Sequence, residues 1–287
     1  MAAERSVEAV EGTPVRISRT PGAPLMMLVR MASQESGIWD PVWEGLAGRF
    51  TVATFDLMQA ARLQEDMAPG RRFRTLAEVV VRTAAGLGFP RFHLFAWYGG
   101  CHVALAALRD RPAQIASCIM LDPFFELEDM RKVERAIAFK RAIFETDRAL
   151  YAYYWVMAGF SPGFMERRFD VIERLAKARV EKDRFVKQDV ERWLRWVRAL
   201  RTNWLDDAEL AAMTTPTLVL ASELDGWHAG PTVGMARALH ARLKASELIE
   251  LPSVGTFCFI ERPSLFLEAA GPFLARRAGG RALASTL

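Results

Sequence analysis

Two hydrophobic patterns alternate along most of this chain. Short continuous apolar runs stand between longer stretches in which apolar residues recur every three or four positions. The runs Pro24–Val29, Phe50–Asp56, Phe92–Phe95, Ile115–Pro123, Thr217–Ala221 and Glu247–Leu251 predict strands, most of them buried on both faces. Val15–Ser18 predicts an early edge strand. Helical spacing predicts helices over Pro41–Ala47, Leu76–Leu87, Cys101–Leu108, Pro231–Leu243 and Pro263–Arg277. Strands alternating with helices imply an α/β fold with a mostly parallel sheet flanked by helices.

The pattern changes from about Phe124 to Asp206. No strand-like run appears there. Arg, Lys, Glu, Phe and Trp dominate, and a turn signal falls at Ser161-Pro162-Gly163. This predicts a helical insertion, residues 124–206, acting as a cap or lid between two parts of one core, residues 1–123 and 207–287. The last residues, Gly279–Leu287, are expected to fray.

Composition narrows the class. The chain has 287 residues, 51% of them apolar and 25% charged, and a formal net charge of +4. That is the balance of an ordinary globular protein. Arginine is plentiful but mixed with acidic residues, with no basic block interleaved with aromatics, so a nucleic-acid partner is not expected. No apolar run reaches the ~20 residues of a membrane helix. The three cysteines, Cys101, Cys118 and Cys258, form no disulfide framework. With no apolar signal region near Met1–Glu8, the expectation is a cytoplasmic protein with no cofactor; a homodimer stays open.

The segment Ala96-Trp97-Tyr98-Gly99-Gly100 joins a predicted strand to a predicted helix. That is the setting of the G-x-S-x-G nucleophile elbow, with Tyr98 at the serine position and Ala96 at the first glycine. Three further segments extend the likeness. Leu28–Ser33 with Trp39-Asp40-Pro41-Val42 looks like an oxyanion loop and its W-x-x-V continuation. Phe55-Asp56-Leu57 follows the next strand. Ser222-Glu223-Leu224-Asp225 and Leu251–Phe257 look like an acid loop and a late histidine loop.

In order and spacing the chain resembles the α/β-hydrolase superfamily over nearly its whole length. The resemblance puts Tyr98 where the nucleophile belongs, Asp225 at the acid and Thr256 where the base histidine belongs. It makes the N–H groups of Ala32 and Gly99 the oxyanion donors. Arg30 and Met31 replace the His-Gly pair of the oxyanion loop. Read this way, the chain is an atypical member with a degenerate triad.

Threonine is no base, and a tyrosine phenol, pKa ~10, is a poor acyl acceptor at neutral pH. Ordinary Ser-His-Asp hydrolysis is therefore not expected. Tyr98 has two readings: a plug bonded to Asp225 or Thr256, or a general acid and carbonyl donor. Asp225 either serves that phenol or caps a turn. Arg30 either binds an anionic group or pairs with Glu35 or Asp56. Cys101, in the first helical turn, is expected to pack. His228 stands near the pocket mouth or on the surface. The insertion is rich in aromatics, among them Phe139, Phe144, Tyr151, Tyr153, Tyr154, Trp155, Phe160, Phe164, Trp193, Trp196 and Trp204. With Trp97 and Trp227, some are expected to line a pocket for an apolar or aromatic small molecule.

The expectation is thus a non-hydrolytic enzyme doing acid–base, cyclisation or lyase-type chemistry on an acyl- or polyketide-like substrate. Two alternatives stand beside it: a catalytically silent binding protein, and an esterase or thioesterase with a displaced set using Cys101 or His228.

Overall fold

A computed structural model of the chain describes residues 5–30, 36–61, 67–124, 130–181, 204–226 and 232–277. Eight strands form one sheet: β1 (Arg5–Val10), β2 (Thr13–Ser18), β3 (Leu25–Arg30), β4 (Thr51–Phe55), β5 (Phe92–Trp97), β6 (Ile115–Leu121), β7 (Thr217–Ser222) and β8 (Ser246–Leu251). Their order is β1-β2-β4-β3-β5-β6-β7-β8. β1 pairs antiparallel with β2, and β2 antiparallel with β4; the remaining pairs are parallel.

The strands expected from apolar runs lie where the sequence puts them. β3, β4, β5 and β7 are buried at every position. Helices on both faces cause this, so neither face needs polar residues. β1 is the exception. Its pattern is mostly exposed, and it hangs on β2 through a two-residue turn. It adds an edge hairpin the apolar pattern does not reveal.

The described helices around the sheet are α1 (Asp40–Ala47), α2 (Leu57–Ala61), α3 (Pro69–Gly86), α4 (Gly100–Asp110), α5 (Met130–Thr146), α6 (Arg148–Met157), α7 (Pro162–Arg167), α8 (Phe169–Glu181), α9 (Asp207–Ala211), α10 (Thr232–Arg242), α11 (Cys258–Glu261) and α12 (Pro263–Ala275). Helix α3 begins about two turns earlier than periodicity suggests, because Pro69 at its first turn suits a helix start. Helices α5 to α8 fall between β6 and β7. Asp147 and Ser161 cap α6 and α7 by accepting from backbone N–H groups.

Two large apolar clusters cover the two faces of the sheet. One joins Trp39, Trp43, Phe95, Trp97, Tyr98 and Phe124 to Phe144, Tyr151 and Phe257. The other packs α3 and α4 on the opposite face. Alternate residues of β5, Phe95 and Trp97 against Leu94 and Ala96, supply the two sides. No described helix is long and apolar enough to cross a membrane.

Candidate functional site

The parallel strands end where β5 passes into α4. Tyr98 sits at this turn with a left-handed backbone, φ +56°. A bulky L-residue rarely takes that conformation, which costs on the order of 1–3 kcal/mol. The turn is sharp because α4 starts almost on top of β3: a Cβ on Gly100 would lie 2.7 Å from the Val29 carbonyl oxygen. Tyr98 N–H donates to the Leu121 carbonyl at 2.9 Å, tying the turn to the end of β6. The phenol ring is buried, 9% exposed, and stacks on Phe124 with centroids 5.7 Å apart. Gly99 follows at the N-cap of α4, half-buried, and the turn closes on itself: Cys101 N–H donates to the Tyr98 carbonyl at 2.9 Å and His102 N–H to the Gly99 carbonyl at 3.3 Å. Arg30, the last residue of β3, is buried and in register with Trp97.

Asp225 lies in the turn after β7 and is 7% exposed. The turn is laced to its neighbours by backbone bonds. Leu224 N–H donates to Val254 at 2.9 Å and Glu223 N–H to Leu251 at 3.1 Å.

Thr256 is fully buried. Its hydroxyl accepts from the Trp97 indole N–H at 3.0 Å and donates to the Asp122 carboxylate. Its proton and one lone pair are therefore committed. Trp97 itself lies in the aromatic core, against Trp39, Phe257 and Phe259. Trp155 on α6 is half-buried, edge-on to Phe257 at 5.6 Å, with the Arg179 guanidinium 3.6 Å over its ring. Met31, Ala32, Trp227 and His228 lie outside the described residues, as do Glu35, Trp193 and Trp196.

Sequence reasoning did not single out two buried charged residues. Asp122 directly follows β6, with φ +48°. It accepts from Ser222 N–H at 2.6 Å, Ser222 Oγ at 2.9 Å and Thr232 Oγ1 at 3.4 Å, besides Thr256. Burial pushes its pKa up, and these donors oppose the rise. Asp122 thus binds together the ends of β6 and β7, the start of α10 and the loop after β8. An acidic residue closing an apolar run, just before Pro123, is the signal that marks it. The other is Lys140 on α5, 6% exposed and within electrostatic reach of Asp225.

The helices between β6 and β7 are fastened to the site at three places. His102 on α4 holds two of them. Its Nε2–H donates to the Phe124 carbonyl at 2.5 Å, and its Nδ1 accepts from the Trp204 indole N–H at 3.1 Å. An indole N–H only donates, which fixes this tautomer. Burial lowers the His102 pKa to about 4, so the ring is neutral. The third fastening is the turn after α6. Gly226 N–H and Phe257 N–H donate to the Ala158 and Gly159 carbonyls at 3.3 and 2.9 Å. Glu261 accepts from Ser161 N–H at 3.1 Å, from Ser161 Oγ, and from Gly255 N–H at 3.2 Å.

The cysteines are not poised for chemistry. All three are free and buried. Desolvation holds the Cys101 and Cys258 thiols well above the usual range, which overrides any help Cys101 receives from the start of α4. Cys101 Sγ instead contacts the Ala96 and Leu121 carbonyls, both at 3.6 Å. Among the described residues no group of three or more His, Cys, Asp or Glu converges as a metal-ligand set would.

Comparison with known proteins gives the fold its place. No family model and no curated protein sequence matches the chain. Solved structures do. The 2-hydroxy-6-oxo-6-phenylhexa-2,4-dienoate hydrolase of Rhodococcus sp. strain RHA1 superposes with a TM-score of 0.76, at 18% identity, over 96% of this chain and 99% of that one. A serine hydrolase from the polyaromatic-hydrocarbon-degrading bacterium Cycloclasticus zankles gives 0.74, at 15% identity, over 95% and 98%. The enol-lactonase of Burkholderia xenovorans LB400 gives 0.71, at 20% identity, over 94% and 100%. The chain has the α/β-hydrolase fold.

Proposed function

We propose that this protein is a non-hydrolytic enzyme of the α/β-hydrolase fold. Its substrate is an apolar acyl- or polyketide-like small molecule, held in an aromatic-lined pocket beneath a cap formed by residues 124–206. The chemistry is acid–base, of cyclisation or lyase type. The observation that carries this reading is the pairing of Tyr98 with Thr256. The elbow keeps its left-handed turn but presents a phenol, and the residue at the histidine position has its hydroxyl bonded to Trp97 and Asp122. The triad is degenerate in this reading: only Asp225 remains of the ordinary set.

A phenol at the elbow supports a different task. Placed beside the helix-start amides of α4, it donates to a substrate carbonyl and stabilises charge developing on that oxygen. Aromatic residues on the sheet side and on α5 and α6 favour an apolar ligand, as does the phenyl-bearing substrate named for one structural neighbour. The reading needs no cofactor and no nucleic-acid or membrane partner. A cytoplasmic setting suits the free thiols. The raised Cys101 thiol speaks against the displaced-nucleophile alternative.

A fluorophosphonate probe and a panel of aryl and acyl esters test it. The expected result is neither covalent labelling nor turnover above background, together with binding of an apolar ligand recovered from the native host. Ester turnover with a labelled side chain in this site would overturn it.

A further inference from the structure

Helices α5 and α6 turn one side to the buried cluster and the other to solvent, and much of the outer side is apolar. On α5 the inward residues are Lys140 and Phe144. The outward ones are Arg135, Ala138, Phe139, Ala142 and Glu145, all exposed and spaced by three or four or one so that they share a helical face. Phe139 is 55% exposed, and its ring meets Tyr154 of α6 edge-on with centroids 5.5 Å apart. From the half-buried Tyr154 the apolar surface runs along α6 to Leu150, four residues before it and 54% exposed, and to Met157, three residues after it and 37% exposed. Exposed apolar residues scattered singly need no explanation, but a contiguous patch marks a contact surface.

Charge decides what fits this surface. The α5 face is positive at one end, Arg135, and negative at the other, Glu145. Ten residues of helix set them about 15 Å apart, too far to pair with each other. Among the described residues neither side chain has a partner. Other exposed arginines do find acids within the chain: Arg19 pairs with Glu8, Arg237 with Glu250 and Arg276 with Glu247. A helix face with opposite charges at its ends is complementary to itself run in the opposite direction. Laid antiparallel about the level of residue 140, a second α5 brings Arg135 of each copy level with Glu145 of the other. Ala138 of each copy then falls level with Ala142 of the other, and their small side chains let the helices close around the two Phe139 rings. A parallel pairing would set like charges level instead. An anionic lipid surface would meet Glu145 and Asp147, both exposed where α5 passes into α6.

We propose that this outer face is the interface of a two-fold dimer, in which α5 packs antiparallel on α5 of a second copy and the α6 stripe of Leu150, Tyr154 and Met157 extends the contact. A two-fold axis makes each contact twice, so both ends of the helix pair carry an Arg135–Glu145 ion pair. The contact does not depend on what the site beneath it binds.

Sedimentation of the full chain over about 1–100 μM decides it. The wild type is expected to run at twice the chain mass. Arg135→Glu and Glu145→Arg each set like charges level at both ends, and each should weaken the dimer about 30-fold. The double variant Arg135→Glu/Glu145→Arg exchanges the charges and should restore it. Phe139→Ala removes the central ring from both copies and should weaken the dimer about 100-fold. All three residues are exposed, so circular dichroism and urea midpoints should stay close to wild type. A monomeric wild type overturns the proposal. So does a dimer that these single variants leave intact, and so does a double variant that fails to recover it, because the antiparallel register is then wrong. A monomer that floats with vesicles of phosphatidylcholine and phosphatidylglycerol gives the face to a lipid surface and overturns it as well.

Discussion

Thr256 shows how one side chain can look like a loss and serve as a joint. Its hydroxyl bridges the Trp97 indole and the Asp122 carboxylate, both fully enclosed. Thr256→Val keeps the shape and leaves a buried indole N–H and one carboxylate lone pair unpaired. It should destabilise the protein by about 1–3 kcal/mol in urea unfolding. Tyr98→Phe removes only a hydroxyl from a ring already packed on Phe124. If the phenol polarises a substrate carbonyl, turnover of the natural substrate should fall about 100-fold while the urea midpoint stays close to wild type. At this scale the sequence was legible in part. The family resemblance numbered Tyr98, Asp225 and Thr256, and the folded chain buries all three. Lys140 could not be picked out, because one lysine on a charged helix carries no mark of burial. Only its burial in the folded chain shows it.

At the scale of elements, the turn after α6 sits on the loop after β8 with no room to spare. A Cβ on Gly255 would stand 2.4 Å from the Gly159 carbonyl oxygen, which is backbone and cannot swing aside. Gly255→Ala should therefore cost several kcal/mol or part the two segments. Gly48→Ala, where a Cβ would meet nothing within 4 Å, is the control. Glu261→Gln keeps the size and removes the charge that gathers Ser161 N–H, Ser161 Oγ and Gly255 N–H. Amide exchange at Ser161 and Gly255 should quicken while the sheet amides stay protected. The buried parallel strands were legible because a strand covered on both faces is apolar throughout. β1 was not. Its side chains are mostly exposed, and its signal is the turn Glu11-Gly12, both left-handed with φ of 48° and 77°, between two short alternating runs.

For the whole molecule, two enclosed imidazoles set the response to acid. His93 bonds to Ser117 beneath the sheet, and His102 bridges Phe124 and Trp204. Burial lowers both pKa values to about 4, below the 6.5 of the unfolded chain. Between those limits the unfolded state binds more protons. Stability should be complete above pH 6.5 and fall by a few kcal/mol as pH drops to 4. Urea midpoints across that range should slope, and the slope should shrink in His102→Gln.

The three fastenings of the inter-strand helices bear on how a ligand enters. Phe124 and Trp204 share one imidazole, and Ala158–Ser161 is clamped between two loops. A plate held at two points, one ring and one clamp, can turn only about the line that joins them. If the interior takes an uncharged guest, as proposed, lifting the plate clear breaks one of these points, so capture should be slow, steeply dependent on temperature and indifferent to salt.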